Sequence, residues 1–80
     1  MFVIEALRLE RKGYESYTVV VDRADVATET ERKVAVEKFK ADGHSRIRET
    51  EGHWTFWRYN YRFPDGTWWT AAGLKKPWEC

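Results

Sequence analysis

Cysteine is nearly absent: Cys80 is the only one in 80 residues. No disulfide can form within the chain, which suits a reducing compartment, and Cys80 reads as a terminal thiol rather than a nucleophile or ligand. Serine occurs only at Ser16 and Ser45, and no glycine-flanked nucleophile or phosphate-binding loop is present. An enzyme is therefore not expected. His44, His53 and Cys80 lack the spacing of a zinc ligand set. Asp22, Asp25 and Glu29 sit where a strand gives way to a helix. Such acids favour the positive end of the helix dipole, and they read that way in preference to Mg²⁺ ligands. No metal and no cofactor is expected.

Excess charge of one sign is also missing. Fourteen basic and thirteen acidic residues leave a formal net charge of +1. That argues against a strongly basic nucleic-acid binder and against an acidic DNA mimic. No apolar run approaches the length of a membrane span, and Met1-Phe2-Val3-Ile4 enters a strand with no signal-peptide layout. A soluble, intracellular protein with no membrane contact is expected. Its 80 residues imply a single small domain spanning 1–80, near the size at which one core just suffices.

Aromatic residues are abundant, and most of them gather in one stretch. His53 to Ala72, HWTFWRYNYRFPDGTWWTAA, holds four of the five tryptophans. It reads as two strands folded back on each other at Pro64-Asp65-Gly66, where Pro presets φ, Asp bonds the loop backbone and Gly takes a positive φ. Side chains alternate along a strand. One row of the first arm is Trp57, Tyr59, Tyr61 and Phe63, expected to pack the core. The other is Trp54, Phe56, Arg58, Asn60 and Arg62, expected to face solvent or a partner. A bulge near Trp57 would exchange parts of the two rows. On the return arm Trp68 and Trp69 point to opposite faces. From His53 to Trp78, Arg58, Arg62, Lys75 and Lys76 are opposed only by Asp65, so the aromatic region is also locally basic.

Upstream, Phe2 to Glu10 reads as a strand, Arg11-Lys12-Gly13 as a turn, and Tyr17 to Val21 as a second, central strand. Asp22 to Asp25 should leave the sheet. Thr28 and Glu31 have capping-box spacing, and Thr30 to Ala41 forms a helix that stops at Asp42-Gly43. Ala27, Val34, Ala35, Val36, Phe39 and Ala41 share its apolar half. Ser45 to Thr50 is a third strand, with Ile47 inward and Arg46 and Arg48 outward, and Glu51-Gly52 turns it into the aromatic arm. The fold class is α+β: a mainly antiparallel five-stranded sheet with one helix packed on one face, in the order β-β-α-β-β-β. Since one helix covers one face, the other is solvated or offered to a partner.

The candidate partner-binding set is Arg46, Arg48, Phe56, Arg58, Asn60, Arg62 and Trp69, with Lys75 and Lys76 on the rim. Trp, Tyr and Arg are the residues enriched at protein–protein hot spots, which favours a protein partner. The alternative is a single-strand nucleic-acid-binding accessory protein, with bases stacked on the arginine and aromatic face. Near-neutral charge and the lack of an RNP-like pattern count against it.

The layout resembles small phage-encoded anti-CRISPR proteins that inhibit type I (Cascade) interference complexes. The residues carrying the likeness are TVVV (18–21), the capped helix TETERKVAVEKFKADG (28–43), RIRET (46–50), a Gly turn before Trp54, and Asp65-Gly66 before Trp68. The resemblance implies a non-enzymatic inhibitor in the cytoplasm of a bacterial host. It would dock on Cas7 or neighbouring subunits of the effector and would block target DNA binding; the sequence leaves open a weak nucleic-acid contact and either a monomer or a homodimer.

Overall fold

A computed structural model of the chain describes residues 1–52 and 57–70, with Trp57 described by its backbone alone. It holds β1 (Phe2–Lys12), β2 (Glu15–Val26), α1 (Glu29–Ala41), β3 (Arg46–Glu51), β4 (Trp57–Arg62) and β5 (Trp68–Thr70). The strands form one antiparallel sheet in the order β2-β1-β3-β4-β5, so the α+β architecture expected from the sequence is the one observed.

β1 and β2 form a long hairpin closed by Gly13-Tyr14, a two-residue loop that needs the positive φ of 64° at Gly13. β2 differs from expectation twice. It lies at the edge of the sheet, not its centre, and it stays paired through Asp22 to Val26. The reason is a bulge: Ala6 pairs with Asp22 and Leu7 with Val20, leaving Val21 unmatched. One extra residue resets the alternation, so the charged segment Asp22–Asp25 continues the ladder.

β2 and β3 flank β1 and run parallel to each other, so α1 must carry the chain across β1. The helix starts as its residues dictate. Thr28 is extended (φ −118°, ψ 157°), its hydroxyl oxygen accepts the Glu31 amide at 3.2 Å, and its hydroxyl donates to Glu31 Oε1 at 2.9 Å. It ends at Asp42. Gly43 follows at φ 93°, and the His44 amide donates back to the Phe39 carbonyl at 3.2 Å.

The core lies between α1 and one face of β1 and β3. It comprises Ile4, Ala6, Ala35, Val36, Phe39 and Ile47, with Phe2, Ala24, Val26 and Trp68 packed at its margin. Burying a side chain such as Ile or Phe stabilises a fold by roughly 1.5–3 kcal/mol, and two of these six are alanines, so the core is modest. The apolar helix face is narrower than its composition suggests. Val34 is 64% exposed, and Ala27 and Ala41 are exposed too, because the helix buries Ala35, Val36 and Phe39 against the sheet and turns Val34 away from it.

The Pro64-Asp65-Gly66 turn is present as read. The Phe63 amide donates to the Thr67 carbonyl at 2.9 Å, and Gly66 takes φ 92°. Asp65 Oδ1 accepts both the Thr67 hydroxyl at 2.6 Å and the Thr67 amide at 2.9 Å. Those donors hold the Asp65 carboxyl below its ordinary value of 3.8, the hydroxyl first and the amide second. A depressed carboxyl stabilises the fold above its unfolded pKa and loses that contribution as pH falls through the folded pKa. Asp65→Asn is therefore expected to remove part of the acid limb of stability below about pH 4 while leaving its shape near neutrality unchanged. Urea midpoints between pH 2 and 7 check this; parallel acid limbs for both proteins would contradict it.

Candidate binding surface

The register decides which side chains face the helix. Ile4 pairs with Glu49 and Ala6 with Ile47; across β3, Ile47 pairs with Asn60 and Glu49 with Arg58. Ile4, Ala6 and Ile47 are core residues, so Glu49, Arg58 and Asn60 lie on the helix side. α1 packs over β1 and the adjoining part of β2 and leaves β3 to β5 to be covered by side chains.

A polar network fills that space. Glu49 and Asn60 are each only 3% exposed. Arg32 of the helix donates to Glu49 Oε1, and the Asn60 amide donates to Glu49 Oε2. The Thr70 hydroxyl donates to the Asn60 carbonyl oxygen at 2.7 Å. Arg32 also bonds Glu29 at 2.6 and 3.0 Å, which holds the Glu29 carboxyl below its ordinary range. Arg58 reaches Glu29 at 3.4 Å and Glu51 at 3.6 Å. Among the described residues no buried side-chain polar atom lacks a partner. The network floors a cleft of about 640 Å³ between α1 and β3 to β5, edged by Lys33, Glu37 and Lys40. Its charges are mixed and mostly committed to one another.

Among the described residues the opposite face carries no helix. One cross-strand row there spans all five strands: Val20, Leu7, Arg46, Tyr61 and Trp69. The Arg46 guanidinium lies over the Tyr61 ring at 4.7 Å, and Phe63 meets Tyr61 edge-on at 5.4 Å. Leu7 is buried, whereas Val20, Phe63 and Trp69 are between 42% and 47% exposed. In the next row Arg48 bonds Glu5 at 2.9 and 3.0 Å and is paired with Tyr59 across the strands. This is an aromatic and arginine surface on an open sheet.

The residues expected to share one exposed face are thus divided. Arg46, Arg48 and Trp69 are together on the open face. Arg58 and Asn60 are on the helix side, where Asn60 is buried and Arg58 is held by two carboxylates; Arg62 shares their phase but is exposed beyond the helix. Phe56, Lys75 and Lys76 lie outside the described residues, as do Trp54, His53 and Cys80. The row expected to fill the core is corrected as well: Tyr59 and Tyr61 are half-buried on the open face and Phe63 is exposed. Burial alone would turn aromatics inward. Strand pairing overrides it, because β4 must match the phase that Ile47 fixes in β3.

The sequence reading missed Arg32, Glu49, Tyr61 and Val20. It also missed that Asp22, Asp42 and His44 bring ligand atoms within 4.8 Å of one another. Both aspartates are exposed, and Asp22 Oδ1 accepts the Arg23 amide at 2.8 Å, so these read as solvated surface groups. Among the described residues no helix is long and apolar enough to cross a membrane.

Removing one partner from the buried ion pair leaves a charge uncompensated, which costs about 3–5 kcal/mol. Arg32→Met is expected to lose stability on that scale. The double change Arg32→Met, Glu49→Leu should recover most of it, short of the roughly 1–3 kcal/mol left by an unpaired Asn60 amide. Urea unfolding measures both; equal losses in the single and double variants would contradict the assignment.

Comparison with models of known protein families, with curated proteins and with solved structures returns no match for this chain.

Proposed function

We propose that this chain is a non-catalytic protein-binding domain that docks through its open sheet face. The observation that carries the reading is the cross-strand row ending in Arg46, Tyr61 and Trp69, with Phe63 beside it. Exposed aromatic side chains around a stacked guanidinium have the composition of interface hot spots, and among the described residues no helix covers that face. The helix-side cleft supports a structural role instead: each oxygen of its buried Glu49 accepts a hydrogen bond, one from Arg32 and one from Asn60, which ties the helix to β3 and β4.

The specific form of the proposal is a stoichiometric inhibitor. It would occupy Cas7 or neighbouring subunits of a type I CRISPR effector and block target DNA binding sterically. The layout resemblance supplies the target, and near-neutral charge favours steric blocking over DNA mimicry. A single-strand nucleic-acid accessory role is the competing outcome, since Arg46 stacked on Tyr61 on an open sheet is also a platform for bases.

The test is a pull-down of assembled type I effector complexes by the purified protein, with and without nuclease. Nuclease-resistant recovery of effector subunits by the wild type, lost in a folded Arg46→Glu, Trp69→Ala variant, is the expected result. No recovery of effector subunits would remove the inhibitor reading. Recovery of oligonucleotide alone, with steeply salt-dependent affinity, would replace it with the accessory role.

A further inference from the structure

Four guanidinium groups share the phase of the open face; Arg11 stands at the far end of the β1–β2 hairpin, past the end of β3, and two of the other three are already neutralised. Arg23 bonds Asp25 at 2.9 Å, and Arg48 bonds Glu5 at 2.9 Å. Arg46 differs. Its guanidinium rests over the Tyr61 ring, and among the described residues no carboxylate lies within ion-pair reach of it. Stacking uses the face of the guanidinium and leaves its planar edge of N–H donors for a further partner.

The surroundings narrow that partner. A nucleic-acid strand binds through several phosphates at once, each matched by a cation. Among the described residues, the five-strand part of this face offers one guanidinium without an anion; Arg11 stands four residues, roughly 13 Å, beyond Leu7 along β1. A single carboxylate matches Arg46 in charge, and the fork of donors matches a carboxylate in shape. On either side the five-strand row turns apolar, with Trp69 two strands away in one direction and Val20 two strands away in the other. At about 4.7–4.9 Å between strands, each lies roughly 9.5 Å from Arg46.

Resting on the protein-docking reading above, we infer that Arg46 receives an Asp or Glu carboxylate from the partner protein. That carboxylate is flanked about 10 Å away by apolar side chains, which cover Trp69 and Val20. A polyproline-II segment spans this distance in three residues at about 3.1 Å each, and a helix spans it in seven at about 1.5 Å each. Arg46 is then the specificity-determining residue, Tyr61 holds its guanidinium in place, and the exposed apolar ends of the row supply affinity.

A displayed library of random 16-residue peptides, selected against the full chain, tests this directly. The wild type should enrich peptides carrying an acidic residue with an apolar residue three or seven positions away. Arg46→Gln, its fold checked by an unchanged amide NMR spectrum, should lose the acidic preference. A resynthesised wild-type binder should weaken by at least about tenfold on Arg46→Gln and also on Arg46→Lys, because an ammonium cannot both stack and fork. Trp69→Ala should weaken the same peptide while keeping its acidic preference. Enrichment without an acidic preference, or one that survives Arg46→Gln, overturns the assignment of Arg46 and leaves protein docking intact. Failure to enrich any peptide also overturns it. If the wild type then binds a fifteen-residue oligothymidylate with steep salt dependence, the protein-docking reading falls with it.

Discussion

A carboxylate buried beneath the edge of a helix sets the character of this sheet. Glu49 lies on the same face as Ile47 and Ile4, so it is withdrawn from water along with the core. An isolated buried charge would shift its protonation or open the structure; a paired one with its remaining oxygen hydrogen-bonded is tolerated. Arg32 supplies the pairing from α1 and Asn60 the second bond from β4. The contact ties together helix, third strand and fourth strand at the place where the apolar core runs out.

The consequence reaches the other side of the sheet. Because Asn60 turns toward Glu49, Tyr59 and Tyr61 must turn away from it. A polar network on one face and an aromatic row on the other are therefore two results of one register. A one-residue slip would bring the aromatics under the helix and expose Asn60, at the cost of the hydrogen bond that Asn60 donates to the buried Glu49 carboxylate. In this way the burial of Glu49 and Asn60 leaves aromatic surface on the open face, and Arg46 over Tyr61 marks where that surface carries charge.

Much of this was legible in the amino-acid sequence, and the limits have physical causes. The Thr28 cap, the glycine stop at 43 and the Asp65-Gly66 turn were readable because each rests on contacts within five residues. The edge position of β2 was not readable, since TVVV suits a central strand by composition and the bulge at Val21 leaves no sequence mark. The inverted faces of β4 could have been found. A two-residue turn at Glu51-Gly52 and the observed pairing of Thr50 with Trp57 both set odd residues of β3 opposite even residues of β4. With Ile47 inward, Arg58 and Asn60 must be inward too. The strong pull of an aromatic row toward burial obscured that parity, and the compensating Arg32 lay on a helix face read as apolar and charged halves without a role for it.

The most direct measurement of the account is a set of nuclear Overhauser contacts from the Asn60 side-chain amide and the Tyr61 ring. The register requires contacts from the Asn60 amide to Arg32, and from the Tyr61 ring to Arg46 and Phe63, with none from either tyrosine ring of β4 to Val36 or Phe39. Contacts from the Tyr59 or Tyr61 ring to Val36 or Phe39 would place the aromatic row under the helix. The open aromatic face, and the docking proposed for it, would then be withdrawn.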